Sequence, residues 1–192
     1  MPPAPRRLGA GPCIGAVPLA ARALTYGPAG ITQPGNGAWS PPGGRRGYER
    51  TVRVGRGDPC WAQARAALLG WGVKTRSGFA VEPVPGSDPG VRDGADYWLV
   101  ARVGPLRIRE PARVVAVVDR PDRCGFAYGT LEGHPVSGEE AFVLHRDADG
   151  GVWLTLRSVT APGQGPWRLA FPVVLVAQRW YRRRYARALA AG

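Results

Sequence analysis

The chain has 192 residues, 44% of them apolar, and carries a formal net charge of +12. This length and apolar content suit a single domain with its own hydrophobic core. Three widely separated cysteines, Cys13, Cys60 and Cys124, form no C-x-x-C pair, which argues against both a disulfide framework and a structural zinc site. No apolar run approaches the roughly 20 residues that a membrane-spanning helix needs.

The positive charge admits two interpretations. A strongly basic protein can bind a polyanion such as nucleic acid or an acidic membrane. Alternatively, the arginines only occupy permissive surface positions, because Lys74 is the single lysine in a chain that is rich in Arg, Ala, Gly and Pro. Net charge alone constrains partners weakly, so the second interpretation is preferred and a nucleic-acid or membrane partner stays open.

Residues 1–23 are predicted to be a disordered tail. The alternative is an export signal, since Arg6 and Arg7 precede an apolar stretch that ends on small residues. Glycine and proline interrupt that stretch, and Arg22 lies where the cleavage region would be. The tail interpretation and a cytoplasmic location are therefore expected.

Residues 24–47 contain many turn-forming residues and show no period of 2 or 3.6, which predicts an irregular arm. Any order in this arm must come from Tyr26, Ile31 and Trp39 docking elsewhere. The domain itself is predicted to span 48–192.

Alternating apolar positions and turn residues predict about seven strands, and their short connections favour antiparallel pairing. The predicted strands are 48–54, 79–84, 95–103, 106–119 with a bend at Pro111, 124–131, 139–146 and 152–159. A helix is predicted after the first strand, with Asp58 as its N-cap and Pro59 at its first position. Its apolar stripe consists of Trp61, Ala64, Leu68 and Trp71.

The chain ends in a long amphipathic helix that should be kinked or restarted near Pro172. Its apolar stripe comprises Trp167, Ala170, Phe171, Val174, Tyr181, Tyr185 and Leu189, and its basic face comprises Arg168, Arg179, Arg183 and Arg187. Gln178 interrupts the apolar stripe, so its amide must either meet a group of the sheet or face a wet cavity.

Strand, helix, several antiparallel strands and a terminal helix predict an α+β protein of the helix-grip, or START-like, class. In that class a curved antiparallel sheet holds the C-terminal helix. Such a sheet can leave an internal cavity beneath the helix, where a small ligand would bind.

The string "GTLEGHPVSGEEAF" from Gly129 to Phe142, followed by "DGGVW", resembles uncharacterised protein family 0548, a domain-of-unknown-function family related to the SRPBCC (START-like) superfamily. "LTY" at 24–26 and "VGRGDPCWAQARAALLGW" at 54–71 support the resemblance, which spans about 24 to 189. It implies the helix-grip fold. It implies no activity and no catalytic residue.

The same string holds His134, Glu139 and Glu140. Neighbouring residues of a strand project to opposite faces, so the two glutamates cannot serve one site, and one of them must accompany the buried face. One interpretation is that His134 and the inward glutamate bond loose backbone N–H groups of a wide hairpin. They could also contact a ligand, or His134 could act as a general acid or base.

The expected function is binding of a small hydrophobic or amphipathic ligand between sheet and terminal helix, without a cofactor or metal. The candidate polar contacts are Tyr128, His134, Glu140 and Gln178. One alternative is a cyclase-like or dehydratase-like enzyme that uses His134 as acid or base; no catalytic residue is assigned beyond that candidate. Another alternative is an anionic-surface or nucleic-acid binder that uses the arginines of the C-terminal helix.

Overall fold

The computed structural model describes residues 17–43, 45–103 and 106–190. Its secondary structure comprises seven strands and three α-helices. The strands are β1 (Arg46–Arg56), β2 (Phe79–Pro83), β3 (Asp96–Val103), β4 (Leu106–Asp119), β5 (Arg123–Thr130), β6 (Val136–Arg146) and β7 (Gly151–Pro162). The helices are α1 (Gly57–Leu69), α2 (Gly72–Thr75) and α3 (Trp167–Tyr185).

The strands form one antiparallel sheet in the order β1-β7-β6-β5-β4-β3-β2. Strands β2 to β7 follow one another as a meander, whose short connections allow only antiparallel neighbours. Strand β1 pairs with β7 at the far edge, because α1 and α2 carry the chain across the sheet. The predicted architecture of about seven strands and a terminal helix is confirmed.

The main core lies between one face of the sheet and the helices. The predicted stripe of α1 is buried there, and the inward residues of α3 join it at the C-terminal end, where Tyr185 and Leu189 are buried. Burial of these side chains contributes most of the driving force for folding, at about 25 cal/mol for each Å² of apolar surface. The core therefore holds both helices on one face of the sheet.

The predicted cap of the first helix is wrong, and the terminal helix does not restart at Pro172. Helix α1 begins at Gly57, and Asp58 does not cap it, because its carboxylate accepts a hydrogen bond from Arg146 at 2.7 Å. Helix α3 is uninterrupted from Trp167 to Tyr185 with Pro172 inside it. Pro172 lies near the N-terminus of α3, where its missing N–H removes only one intrahelical bond.

The strands also differ in detail from their predicted bounds. The register of β4 with β3 is continuous through Pro111, and its register with β5 shifts between Val114 and Ala116. Strand β6 begins at Val136, three residues before the predicted start, because the β6–β7 ladder continues through Gly138 to pair Val136 with Pro162. The longer ladder brings the His134 loop up to the edge of the core.

The N-terminal segment lies on the opposite face of the sheet. Of the predicted disordered tail, residues 1–16 lie outside the described residues, whereas 17–23 contact the rest of the chain at two points: Leu19 is buried and Arg22 donates to the carbonyl oxygen of Glu132 at 2.7 Å. The predicted arm then crosses the sheet. Ile31 is buried, and Trp39 donates to the carbonyl oxygen of Ile31 at 2.8 Å.

Candidate functional site

A cavity of about 80 Å³ lies between the sheet and the inward side of α3. Its walls come from α2, from the adjoining strands β4 to β7 and from α3. All four candidate contacts named from the sequence, Tyr128, His134, Glu140 and Gln178, line it. Further polar residues that were not among the candidates also line it, including Lys74, Glu110 and Tyr185.

Lys74 is the cationic centre of the site and is almost completely buried. Its Nζ lies 2.9 Å from Oε2 of Glu140 and donates to the Tyr185 hydroxyl at 2.7 Å. Tyr128 donates its hydroxyl proton to the same Glu140 oxygen. A buried charge is tolerated only when it is paired and hydrogen-bonded, and Lys74 and Glu140 satisfy each other in this way.

Aromatic rings surround the Lys74 ammonium. Its Nζ lies 4.6 Å from the ring centres of Phe79 and Tyr185, 4.9 Å from Tyr128 and 5.7 Å from Phe142. The negative faces of such rings attract a cation most strongly where water is excluded. The cage thus stabilises a charge that the core would otherwise reject.

The local backbone explains how a lysine reaches this position. Helix α1 ends at Leu69, and Trp71, the N-cap of α2, has a left-handed φ of 60° that turns the chain into the single turn of α2. The Trp71 ring packs against Tyr97 and Phe126 with centroids 4.8 Å away in each case. This packing holds a backbone conformation that is uncommon for a bulky residue, and it points Lys74 into the core.

His134 lies in the loop just before β6 and is a neutral imidazole. The N–H of Val136 donates to its Nδ1 at 3.1 Å, so the proton of the neutral ring resides on Nε2. Burial, and then the charge of Lys74, lower the pKa of His134 to about 3. Its Nε2 is buried and has no hydrogen-bond acceptor among the described residues. The nearest carboxylate oxygen is Oε2 of Glu110, at 3.7 Å.

Glu110 faces the same space from β4. Burial raises the pKa of its carboxyl to about 7, with Lys74 opposing that shift and Glu140 adding to it. Such a carboxyl exchanges its proton near neutral pH, which is the property of a general acid or base. The sequence held one signal for it: Ile108, Glu110, Ala112 and Val114 alternate along a predicted strand, so Glu110 occupies a position of the buried face.

Gln178 completes the polar wall from α3. Its Oε1 is buried and has no donor among the described residues. The cavity therefore offers one unfilled N–H donor, on His134, and two acceptors, on Gln178 and Glu110. Buried polar groups are normally satisfied, so these unfilled groups make the cavity the candidate binding site.

Glu139 touches the cavity lining, but its carboxylate binds groups of the N-terminal arm on the other face of β6. Its carboxylate accepts hydrogen bonds from the Tyr26 hydroxyl at 2.6 Å and from the backbone N–H groups of Gly30 at 2.8 Å and Thr32 at 2.9 Å. The Thr32 hydroxyl also donates to it. Glu139 thus anchors the N-terminal arm, and of the two carboxylates only that of Glu140 binds polar groups that line the cavity.

Asp147 and Cys124 have structural roles outside the cavity. Asp147 accepts from the N–H of Gly151 at 2.7 Å and from the indole N–H of Trp153 at 2.9 Å, and so closes the β6–β7 hairpin. Burial raises the pKa of Cys124 to about 11, which suits a core thiol.

Within 17–43, 45–103 and 106–190, no cluster of three or more His, Cys, Asp or Glu is suited to hold a metal ion. In the same ranges no helix is both long and apolar enough to cross a bilayer.

Comparisons with known proteins agree with this architecture. A crystal structure of a hypothetical protein from Helicobacter pylori superposes with a TM-score of 0.56 at 10% identity, covering 88% of this chain and 94% of that one. At that identity the likeness shows the fold alone. The chain is also similar to a UPF0548 protein of Deinococcus radiodurans, 42% identical over 158 residues that cover 78% of this chain and 79% of the relative.

A UPF0548 protein of Arabidopsis thaliana is 27% identical over 144 residues, which cover 72% of this chain and 68% of the relative. The matched family model spans residues 25–188, from the docked arm to the end of the terminal helix, and so includes every residue of the cavity named above. The chain has the helix-grip fold and belongs to the family described as domain of unknown function DUF1990, whose curated relatives are UPF0548 proteins.

Proposed function

We propose that this protein binds a small amphipathic molecule in the cavity, with a neutral hydroxyl or amide group of the ligand at the Glu110–His134 end. The observation that carries the proposal is the buried Nε2–H of His134, a residue of the cavity lining, for which no described residue supplies an acceptor. A ligand oxygen placed there would accept this proton. A ligand hydroxyl could in turn donate to Glu110 or to Oε1 of Gln178.

The charges of the site favour a neutral head group. Lys74 and Glu140 already neutralise each other, and the raised pKa of Glu110 leaves its carboxyl partly protonated at neutral pH. An ammonium group would approach the charge of Lys74, and a carboxylate would approach Glu140. Either ion would also lose its hydration in the cavity.

The volume of the cavity limits the size of the ligand that fits without a movement of the protein. Ligand sites usually enclose about 300 to 1,000 Å³, whereas this cavity has about 80 Å³. It accommodates a head group, and a longer molecule requires α3 to move outward. Helix α3 is held chiefly at its C-terminal end, because Tyr185 is its one buried residue, and the half before Gln178 packs only partly against the sheet.

A matched ten-carbon series tests the proposal. Decanol, decylamine and decanoate share one chain and differ in head group, and each would compete with the neutral fluorescent probe N-phenyl-1-naphthylamine. We expect decanol to compete best. His134→Asn retains an acceptor for the Val136 N–H and removes the Nε2 donor. It should therefore lower the affinity for decanol by about tenfold, which corresponds to the loss of one hydrogen bond, without changing the affinity for the probe.

Two results would reject the proposal: equal competition by all three compounds, or unchanged decanol affinity in His134→Asn. Native mass spectrometry of protein purified from its own host would then identify any retained molecule directly. The proposed setting is cytoplasmic, since Cys60 and Cys124 are free thiols.

The pKa of Glu110 favours a second candidate, an enzyme that acts on the bound molecule. Glu110 suits proton transfer near neutral pH better than His134, whose imidazole stays neutral down to about pH 3. A molecule recovered from the host can be incubated with the wild type and with Glu110→Gln. Conversion by the wild type alone would support catalysis, and recovery of the unchanged molecule from both would leave binding as the function.

A further inference from the structure

The outward side of α3 carries a row of large apolar side chains. Leu169 is 89% exposed, Val173 73%, Val176 65% and Trp180 50%. Their spacing of 4, 3 and 4 residues places them on one side of the helix, opposite the side that lines the cavity. We call these four residues the outer stripe. Single exposed apolar residues are ordinary, whereas a contiguous row marks a surface that contacts something apolar.

Positive charge borders the outer stripe. The helix and its flanks, residues 163–190, contain six arginines and no aspartate or glutamate. The guanidinium of Arg184 stacks over Trp180 at 4.6 Å. Among the described residues, the side chains of Arg168, Arg179, Arg183 and Arg187 form no hydrogen bond or ion pair. These groups are available to an anionic partner.

The composition of this surface distinguishes among three candidate partners. A second copy of this chain would bring the same arginines without compensating carboxylates. A nucleic acid would stack on aromatic rings, but Tyr181 and Tyr185 point into the cavity and three members of the outer stripe are aliphatic. Aliphatic side chains with one tryptophan, bordered by arginine, are the composition that enters the interface of an anionic bilayer.

We infer that the outward side of α3 docks on the surface of an anionic membrane. The outer stripe enters the boundary between head groups and acyl chains, and the arginines beside it contact lipid phosphates. Leu169 and Val173 occupy the first half of the helix, whereas most of the arginines follow Val176, so the apolar contact and the charged contact are displaced along the axis.

Flotation with lipid vesicles tests this inference on the full chain. Vesicles of phosphatidylcholine alone are compared with vesicles that contain about one third phosphatidylserine, an anionic lipid. The wild type should float with the anionic vesicles and not with the neutral ones. The triple substitution Leu169→Ser, Val173→Ser and Val176→Ser should reduce partitioning by about tenfold or more. Since these side chains are exposed, the thermal unfolding temperature should not change.

A pair of matched arginine variants separates this site from general charge. Arg179→Ala with Arg183→Ala should reduce partitioning several-fold, whereas Arg50→Ala with Arg53→Ala removes the same charge from exposed positions of β1 and should change it little. Equal losses in the two pairs, or wild-type partitioning by the triple variant, would show adsorption through the net charge of +12 and overturn the inference. Absence of flotation would overturn it as well, and a dimer in light scattering that the triple variant abolishes would assign the stripe to a second copy.

Discussion

Glu139 and Glu140 are adjacent in β6, yet their carboxylates bind groups on opposite faces of the sheet. Glu139 accepts hydrogen bonds from Tyr26, Gly30 and Thr32 of the N-terminal arm. Glu140 is paired with Lys74 at 2.9 Å beneath α3. The alternation of side chains along a strand makes this division unavoidable. The two residues can therefore be perturbed independently, and each perturbation has a distinct readout.

Glu139→Gln should loosen the arm without altering the cavity. The substitution removes the negative charge that accepts hydrogen bonds from Gly30 and Thr32, at a cost of about 2 to 3 kcal/mol. Faster hydrogen exchange of those two amides would report the effect. Glu140→Gln is the matched control and should leave both amides protected. Equal exchange in the two variants would contradict the assignment of the arm to Glu139.

Lys74→Met should destabilise the fold by about 3 to 5 kcal/mol, because it leaves Glu140 as a buried charge without its partner. Urea denaturation measures this loss. The double variant Lys74→Met, Glu140→Gln should recover part of it. Arg92→Ala removes an exposed partner of Asp88 and should change the free energy of unfolding little. A small effect of Lys74→Met would mean that the buried pair contributes little.

The raised pKa of Glu110 predicts a pH-dependent difference between the wild type and Glu110→Gln. The folded state keeps the Glu110 proton up to about pH 7, whereas the unfolded state releases it near its ordinary pKa of 4.5. Since the folded state binds more protons in that window, this contribution to stability is complete below pH 4.5 and is lost as the pH rises to 7.

The free energy of unfolding of Glu110→Gln, minus that of the wild type, should therefore increase from pH 4.5 to pH 8, by up to about 3 kcal/mol. Taking the difference removes the opposite contribution of His134, whose lowered pKa makes the wild type less stable as the pH falls from 6.5 to about 3. A difference that does not change with pH would show that Glu110 titrates normally in the folded protein.

Gly138→Ala should be strongly destabilising. The φ of Gly138 is 146°, and a Cβ there would lie 1.9 Å from the carbonyl oxygen of Val159 in the β6–β7 ladder. We expect a loss above about 3 kcal/mol in the free energy of unfolding. Gly86 also has a positive φ but has open space around it, so Gly86→Ala should cost only about 1 kcal/mol. Similar losses in the two variants would mean that the contact with Val159 is relieved by a small shift.

The sequence by itself determined the order of the strands, of α1 and of α3, and the side of these two helices that is buried, whereas α2 was not predicted. Periods of 2 and 3.6 in apolar residues are local properties, so β1 to β7, the stripe of α1 and the inward side of α3 could be predicted from neighbouring positions. The same alternation predicted that Glu139 and Glu140 would separate. It could not indicate that both faces of the sheet are covered, because the arm that binds Glu139 lies more than 100 residues earlier in the chain.

Only the tertiary structure decided which polar groups meet in the cavity. Lys74, Glu110, His134 and Tyr185 come from α2, β4, the loop before β6 and α3, and no local pattern links such distant positions. Their pKa values follow from burial and from one another's charges, which do not exist until the chain folds. The outer stripe was missed for a related reason. The four arginines of the predicted basic face drew attention to charge, and the exposure of Leu169 and Val173 depends on which surfaces the folded sheet leaves uncovered.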